Sequence, residues 1–196
     1  MSPALRCSWV MAAALVASAL TSHAADAKTR DQRLAAGEIL VKKIKVPGSD
    51  IPRLRVEAMI DAPADMVWPI VSDCNQLHKH MSSVARSRVV KKRGRIYECE
   101  TEIHLPGPLS NLVSVTEVKE IPGPPVWKRR WHLLKGDYEK VDGSWDIQDF
   151  NGDQMKTRVL YTIHAIPNVS LPDFILRLAH GRAAKNLIKD IRKAVG

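Results

Sequence analysis

The sequence has few cysteines and no long hydrophobic run, and both absences exclude classes of protein. Its 196 residues contain three cysteines, too few for a small domain held together by a disulfide framework. No stretch reaches the roughly 18 consecutive apolar residues that a membrane-spanning helix needs. Hydrophobic residues make up 45% and charged residues 26% of the chain, as in globular rather than disordered proteins. We therefore expect a soluble protein with one domain.

The N-terminal residues have the pattern of a secretory signal peptide. Arg6 precedes the short apolar segment Trp9–Leu20, and small residues up to Ala24 form a cleavage site. The apolar segment is too short to span a bilayer, and no Cys follows it to carry a lipoprotein anchor. We predict a signal peptide over residues 1–24, an N-terminal segment over 25–36 and a domain over 37–196, located in the periplasm or secreted and soluble after cleavage.

Export changes how the cysteines are interpreted. Cys7 lies within the predicted signal peptide, so the mature chain keeps Cys74 and Cys99. In an oxidising compartment these two residues can form a disulfide. Alternatively, they are two small buried side chains, because free cysteine behaves as a core hydrophobe. The sequence leaves both alternatives open.

Acidic residues are outnumbered, and the excess cations are clustered. Lys and Arg number 30 against 21 Asp and Glu, which gives a net charge of +9. Clusters lie within Arg86–Arg95, Lys128–Arg130 and the last predicted helix. Such clusters attract anionic lipid surfaces or nucleic acid, or form a solvated surface without a partner. Because an exported protein rarely meets nucleic acid, we expect no nucleic-acid partner and consider an anionic membrane surface instead.

Hydrophobic periodicity predicts the order of elements. Strands are predicted over residues 37–46, 53–60, 84–91, 95–105, 112–120, 126–135, 141–150 and 156–166. A short helix follows Pro63, an irregular polar connection spans residues 72–83, and a long helix begins near Ser170. An antiparallel sheet with one apolar face must be covered, and the last helix is the long element available to cover it.

Aromatic residues and one arginine share the apolar phase of their strands. Trp127 and Trp131 alternate in phase with Arg129, and Trp145 has the same phase on the next strand. A cation that faces an apolar interior is costly unless it has a partner such as a ligand headgroup. The alternative is a bulge near Pro124-Pro125, which would shift the register and expose the arginine to water.

Three passages resemble a known family. They are VEAMIDAPADMVWPIVSDC, GSWDIQD and TRVLYTIHAIPNVSLPDFILRLAHGRAAKNLIKDIRKAV, and they are similar to START-like proteins, the polyketide cyclase and lipid-transport superfamily. The resemblance covers residues 37–195. It implies an α+β helix-grip fold, in which a curved antiparallel sheet wraps around a long C-terminal helix and encloses a hydrophobic cavity. Members bind sterols, phospholipids, quinones or polyketides, and a minority are enzymes.

We therefore expect a monomeric protein that binds and transports a lipid, sterol or quinone, with no cofactor, no metal and no catalytic residue. The expected ligand-binding residues are Trp68, Tyr97, Trp127, Arg129, Trp131, Trp145, Tyr161, Phe174 and Leu178. The alternative is a cyclase, hydrolase or dehydratase that acts on an apolar substrate in the same cavity. That alternative needs titratable groups converging on the cavity, and the inward positions supply few.

Overall fold

The fold is a sheet of eight antiparallel strands with helices packed on its concave side. A computed structural model describes residues 30–105, 109–171 and 182–196. The strands are β1 (Leu40–Val46), β2 (Ser49–Ile60), β3 (Val84–Arg93), β4 (Ile96–Ile103), β5 (Leu112–Ile121), β6 (Trp127–Gly136), β7 (Tyr138–Phe150) and β8 (Asp153–Pro167). The helices are α1 (Ala64–Ser72), α2 (Leu77–His80) and α3 (Ala184–Val195). The strand order is β1-β2-β8-β7-β6-β5-β4-β3.

The C-terminal helix covers the sheet as the apolar stripe predicts. In α3, Ala184, Ile188 and Ile191 are buried at helical spacing and belong to the main hydrophobic core. The helix packs against β2, α1 and α2. The α+β helix-grip fold is thereby confirmed. The earlier part of the predicted helix, with Phe174 and Leu178, lies outside the described residues.

Helix α1 fills one end of the concave face. Pro63 directly precedes α1, where its missing N–H costs nothing. Val67, Trp68 and Val71 are buried, and the helix packs against β6, β7 and β8. The opposite end of the concave face lies beyond the reach of this short helix. No helix in the described ranges is long and apolar enough to cross a membrane.

The connection between α1 and β3 differs from the sequence prediction. The sequence predicts an irregular polar segment over residues 72–83, but Leu77–His80 form the single turn of α2. Leu77 and Met81 are both buried, and the helical turn allows the two side chains to point inward together. The interpretation of this segment as wholly irregular is therefore wrong.

Residues before the predicted domain also pack on the sheet. Residues 30–35 are helical, and Leu34 is fully buried. Arg30 forms an ion pair with Glu57 on the outer face of β2, and Asp31 forms one with Arg158 on β8. The packed structure therefore begins within residues 25–36, the predicted N-terminal segment.

A disulfide joins the α1–α2 connection to the sheet. Cys74 is bonded to Cys99 of β4, and both residues are buried. The bond closes a loop with a sequence separation of 25 residues. Because a crosslink restricts the unfolded chain, a loop of this size contributes about 2–4 kcal/mol to stability.

We predict that replacing both cysteines with alanine lowers the free energy of unfolding by about 2–4 kcal/mol. The measurement is urea unfolding of the mature protein, followed by tryptophan fluorescence. A reductant should destabilise the wild-type protein to a similar extent and leave the Cys74→Ala/Cys99→Ala variant unchanged. Equal unfolding midpoints for the oxidised wild type and the double variant would contradict the prediction.

Candidate ligand-binding cavity

A cavity of about 330 Å³ occupies the end of the concave face that α1 leaves open. It lies between the inner faces of the strands, α2 and the beginning of α3. Its apolar lining includes Leu54, Leu77, Met81, Val84, Ile103, Leu112, Val141, Ile163 and Leu187. Its polar lining comprises, among the described residues, Ser83, Thr101, Ser114, Thr116, Arg129, Tyr138 and Tyr161. A concave, mostly apolar space with a few polar groups is typical of a small-molecule site.

Arg129 is the charged side chain in the described part of this lining. Arg129 is only 5% exposed, so the alternative in which a bulge exposes this arginine to water is wrong. The physical reason is the register: the irregularity between β5 and β6 lies at Val115/Thr116, away from Pro124-Pro125. The side chains of Trp127, Arg129 and Trp131 therefore all point to the concave face of the sheet.

The guanidinium of Arg129 is held from three sides but is incompletely hydrogen-bonded. Nη1 donates to the Val71 carbonyl oxygen of α1 at 2.9 Å. Nη2 lies 4.0 Å from the Cys99 sulfur, a weak acceptor. Nε lies 3.7 Å from Glu120 Oε1 and has no hydrogen-bond acceptor within the described residues. A buried guanidinium in this condition retains the capacity to bind an additional oxygen acceptor.

Glu120 connects Arg129 to a second buried polar group. Its carboxylate contacts the hydroxyl of Tyr97, which also lies 2.9 Å from the Ser72 carbonyl oxygen. Glu120 is partly exposed and its attraction compensates part of the cost of burying the arginine. The pair therefore keeps a positive charge at the cavity wall without leaving it isolated.

Three aromatic side chains predicted from strand phase do line the cavity. Trp131 and Tyr161 have ring centroids 6.1 Å apart and planes 26° apart. Trp145 contacts Tyr161 with centroids 4.5 Å apart. The guanidinium carbon of Arg129 is 5.5 Å from the ring centroid of Trp131, within the range of a cation–π interaction.

Three other predicted site residues lie outside the cavity lining. Trp68 of α1 packs on Trp127 with centroids 5.5 Å apart, and Tyr97 faces Ser72 and Glu120. The strand phase placed Trp127 and Tyr97 on the correct face of the sheet. It could not show that α1 covers this end of the face and removes the space for a ligand.

Sequence reasoning missed Tyr138, which also lines the cavity. Simple alternation from Val141 would put residue 138 on the outer face. A register irregularity between Tyr138 and Lys140 reverses that phase. The sequence does carry one signal of this irregularity, the glycine at position 136, because glycine within a strand often marks a break in strand geometry. In the structure Gly136 has a φ of 135°.

The two cavity tyrosines favour their neutral forms. Burial raises the pKa of Tyr138 to about 12 and raises the pKa of Tyr161 well above its usual range, although the charge of Arg129 opposes the latter shift. Both hydroxyls therefore remain protonated near neutral pH. They can donate hydrogen bonds to a ligand, but they do not supply a general base.

The sequence matches the family model described as polyketide cyclase / dehydrase and lipid transport over residues 60–192. Because the match spans more than half of the chain, the protein belongs to this family. The resemblance noted from the three sequence passages is thus confirmed. A comparison with curated protein sequences gave no match.

Solved structures of similar fold include both transfer proteins and a cyclase. A STAR-related lipid transfer protein from Xanthomonas axonopodis has a TM-score of 0.68 and 22% identity, covering 80% of this chain and 93% of that one. Human StAR-related lipid transfer protein 5 has a TM-score of 0.67 and 12% identity, covering 92% and 96%. The Zhui aromatase/cyclase from a Streptomyces species has a TM-score of 0.52 and 13% identity, covering 73% and 90%. These likenesses establish a shared fold.

We predict that the tyrosines resist ionisation for as long as the protein stays folded. All three, Tyr97, Tyr138 and Tyr161, have a pKa raised above the usual 10.0. The unfolded chain loses these protons at lower pH than the folded chain does. Stability from this source is therefore complete below pH 10.0 and declines as the pH rises towards the folded-state pKa values.

The measurement is tyrosinate absorbance recorded together with circular dichroism during an alkaline titration. The absorbance should rise only above the ordinary tyrosine range and together with loss of the fold. Tyr138→Phe should remove about a third of the final amplitude, because the chain has three tyrosines. A tyrosine that ionises near pH 10.0 in the fully folded protein would contradict the prediction.

Proposed function

We propose that the protein binds a hydrophobic molecule in this cavity and carries it through water. The observation that carries the proposal is the incompletely paired guanidinium of Arg129 at the wall of an otherwise apolar cavity. Burial of the ligand's apolar surface supplies affinity, at about 25 cal/mol per Å² removed from water. A polar oxygen on the ligand accepts a hydrogen bond from Arg129 and fixes the orientation of the ligand.

Enzymatic turnover is the alternative that the family description keeps open, since it names cyclases and dehydrases beside lipid transport. Within the described part of the lining, Arg129, Tyr138 and Tyr161 are the titratable groups outside the disulfide. A guanidinium stays charged, and both tyrosines stay protonated. These groups favour binding over proton abstraction, because a general base near neutral pH needs a pKa close to that pH.

Contact with an anionic membrane surface is a further part of the proposal, and the ion pairs of the β3–β4 hairpin support one position for it. Three cations of the β3–β4 hairpin face glutamates across the strand pair. These pairs are Arg86–Glu102, Arg88–Glu100 and Lys91–Glu98. Lys92 and Arg93 at the end of β3 and Arg95 in the turn form no ion pair with the described acidic residues. We propose that this turn, rather than the whole hairpin, supplies the attraction to anionic lipid headgroups.

We predict that the natively purified protein contains a hydrophobic compound that depends on Arg129. Solvent extraction and mass spectrometry should recover this compound from wild-type protein in near-stoichiometric amount. Arg129→Met should retain about tenfold less or lower still, because a hydrogen bond to a charged group contributes about 1.5–3 kcal/mol. Methionine fills similar apolar volume, but it leaves Glu120 and the Val71 carbonyl without their partner. Circular dichroism and an unfolding curve therefore establish first that the variant is folded, and retention is compared only for folded protein.

The matched control is Arg130→Met. Arg130 is the next residue on β6, but its guanidinium pairs with Asp146 on the outer face. This variant should retain the compound at the wild-type level. Equal retention by both variants would contradict the role of Arg129, and protein without any bound compound or affinity for hydrophobic probes would contradict the proposed function itself.

Export is the other expectation that stays a proposal, because residues 1–24 lie outside the described part of the chain. The pattern of Arg6, an apolar segment and a small-residue site at Ala24 supports it. We predict that the protein isolated from its native host begins near Ala25 and is found in the periplasm or the medium. N-terminal sequencing tests this directly, and a cytoplasmic protein that retains Met1 would contradict it.

A further inference from the structure

The absence of a side chain at Gly143 determines the position of Trp131. The two residues are directly paired on β7 and β6. A Cβ atom built on Gly143 would lie 2.3 Å from Cζ2 and 2.5 Å from Cε2 of the Trp131 indole. These distances are far below van der Waals contact. The indole therefore lies flat on the α-carbon of Gly143, in space that any other residue would occupy.

The ring position that Gly143 permits makes Trp131 part of an aromatic cluster on the cavity wall. The indole stacks with the ring of Tyr161 on β8, with centroids 6.1 Å apart and planes 26° apart. Trp145, on the strand between them, contacts Tyr161 from a nearly fully buried position. The guanidinium of Arg129 lies over the Trp131 ring, 5.5 Å from its centroid. The cavity wall therefore combines a cluster of aromatic rings with a hydrogen-bond donor.

The volume of the cavity limits which ligands can pack against this aromatic cluster. At about 330 Å³, it is near the lower end of the range of about 300–1,000 Å³ that small-molecule sites occupy. One compact ligand fits such a space better than a lipid with two acyl chains. A flat ring system gains stacking attraction from an aromatic surface beyond the effect of area alone.

We infer that Gly143 is a specificity-determining residue, which selects ligands with a flat ring system and an oxygen acceptor over ligands with acyl chains. This inference rests on the proposed function, because it assigns a ligand class to the same cavity. Gly143 itself does not touch the ligand. It acts by setting the position of Trp131 in the aromatic cluster, and the ligand packs against the exposed part of this cluster with its oxygen towards Arg129.

The test compares two fluorescent probes that share a carboxylate and differ in shape. Anthracene-2-carboxylate is a flat ring system, and cis-parinarate is an acyl chain without rings. Trp131→Leu should weaken binding of the anthracene probe about fivefold relative to parinarate, the size expected from loss of aromatic stacking. Gly143→Ala should shift the ratio of the two dissociation constants in the same direction, because the new methyl group displaces the indole.

The matched control is Trp127→Leu, the same substitution on the same strand but outside the cavity lining, and it should leave the ratio unchanged. A Cβ at Gly143 would also lie 2.7 Å from the Thr162 carbonyl oxygen. A folded Gly143→Ala variant with an unchanged ratio would overturn the role of Gly143. If Gly143→Ala fails to fold because of the contact with Thr162, Trp131→Phe replaces it, since this variant keeps an aromatic ring but not the indole that occupies the space above Gly143. An unchanged ratio in Trp131→Phe would overturn the role of the indole position that Gly143 permits.

The ligand class and the proposed function are contradicted by different results. Wild-type protein that binds parinarate but not the anthracene probe would overturn the ligand class and leave the proposed function standing. A ratio unchanged in Trp131→Leu would do the same. Wild-type protein that binds neither probe and contains no native compound would overturn both.

Discussion

The cost of burying the Arg129 guanidinium is the constraint on which the arrangement of the site depends. A cation in an apolar interior is stable only when surrounding groups compensate its charge and its hydrogen-bond donors. Here the compensation comes from a carbonyl of α1, the carboxylate of Glu120 and the ring of Trp131. Since Val71 belongs to α1 and Glu120 to β5, the arginine connects the packed end of the concave face to the open end. The guanidinium N–H groups that remain without a full hydrogen-bond partner give the otherwise apolar cavity one polar site, which can orient a ligand.

The division of the concave face into two ends determines which residues meet a ligand. Helix α1 fills one end, where Trp68 and Trp127 pack together. At the other end the sheet is covered by α2 and the beginning of α3, and space remains between them and the strands. The Cys74–Cys99 disulfide lies at the border between the two ends. It holds the segment that contributes Leu77 and Met81 to the cavity wall. The residues around the disulfide therefore contribute both to the stability of the fold and to the wall of the cavity.

Much of the fold followed from the sequence, because strand alternation and the apolar stripe of the last helix report local periodicity. The same alternation correctly placed Trp131, Trp145 and Tyr161 on the inner face. It failed where long-range packing or a break in register decides the outcome. Trp127 has the correct phase but is covered by α1, and Tyr138 has the wrong apparent phase because β7 is irregular near its start. The sequence carries no local signal for which end of a sheet a short helix will cover.

A crystal structure of the protein purified with its native compound would show directly whether Arg129 binds the polar end of a ligand. We expect density for one compact molecule in the cavity, with an oxygen atom within hydrogen-bond distance of an Arg129 guanidinium nitrogen. We also expect the apolar body of the molecule to pack against the aromatic side chains of β6 and β8. Density for a ligand outside this cavity, or for a ligand whose polar end points away from Arg129, would contradict this role of Arg129.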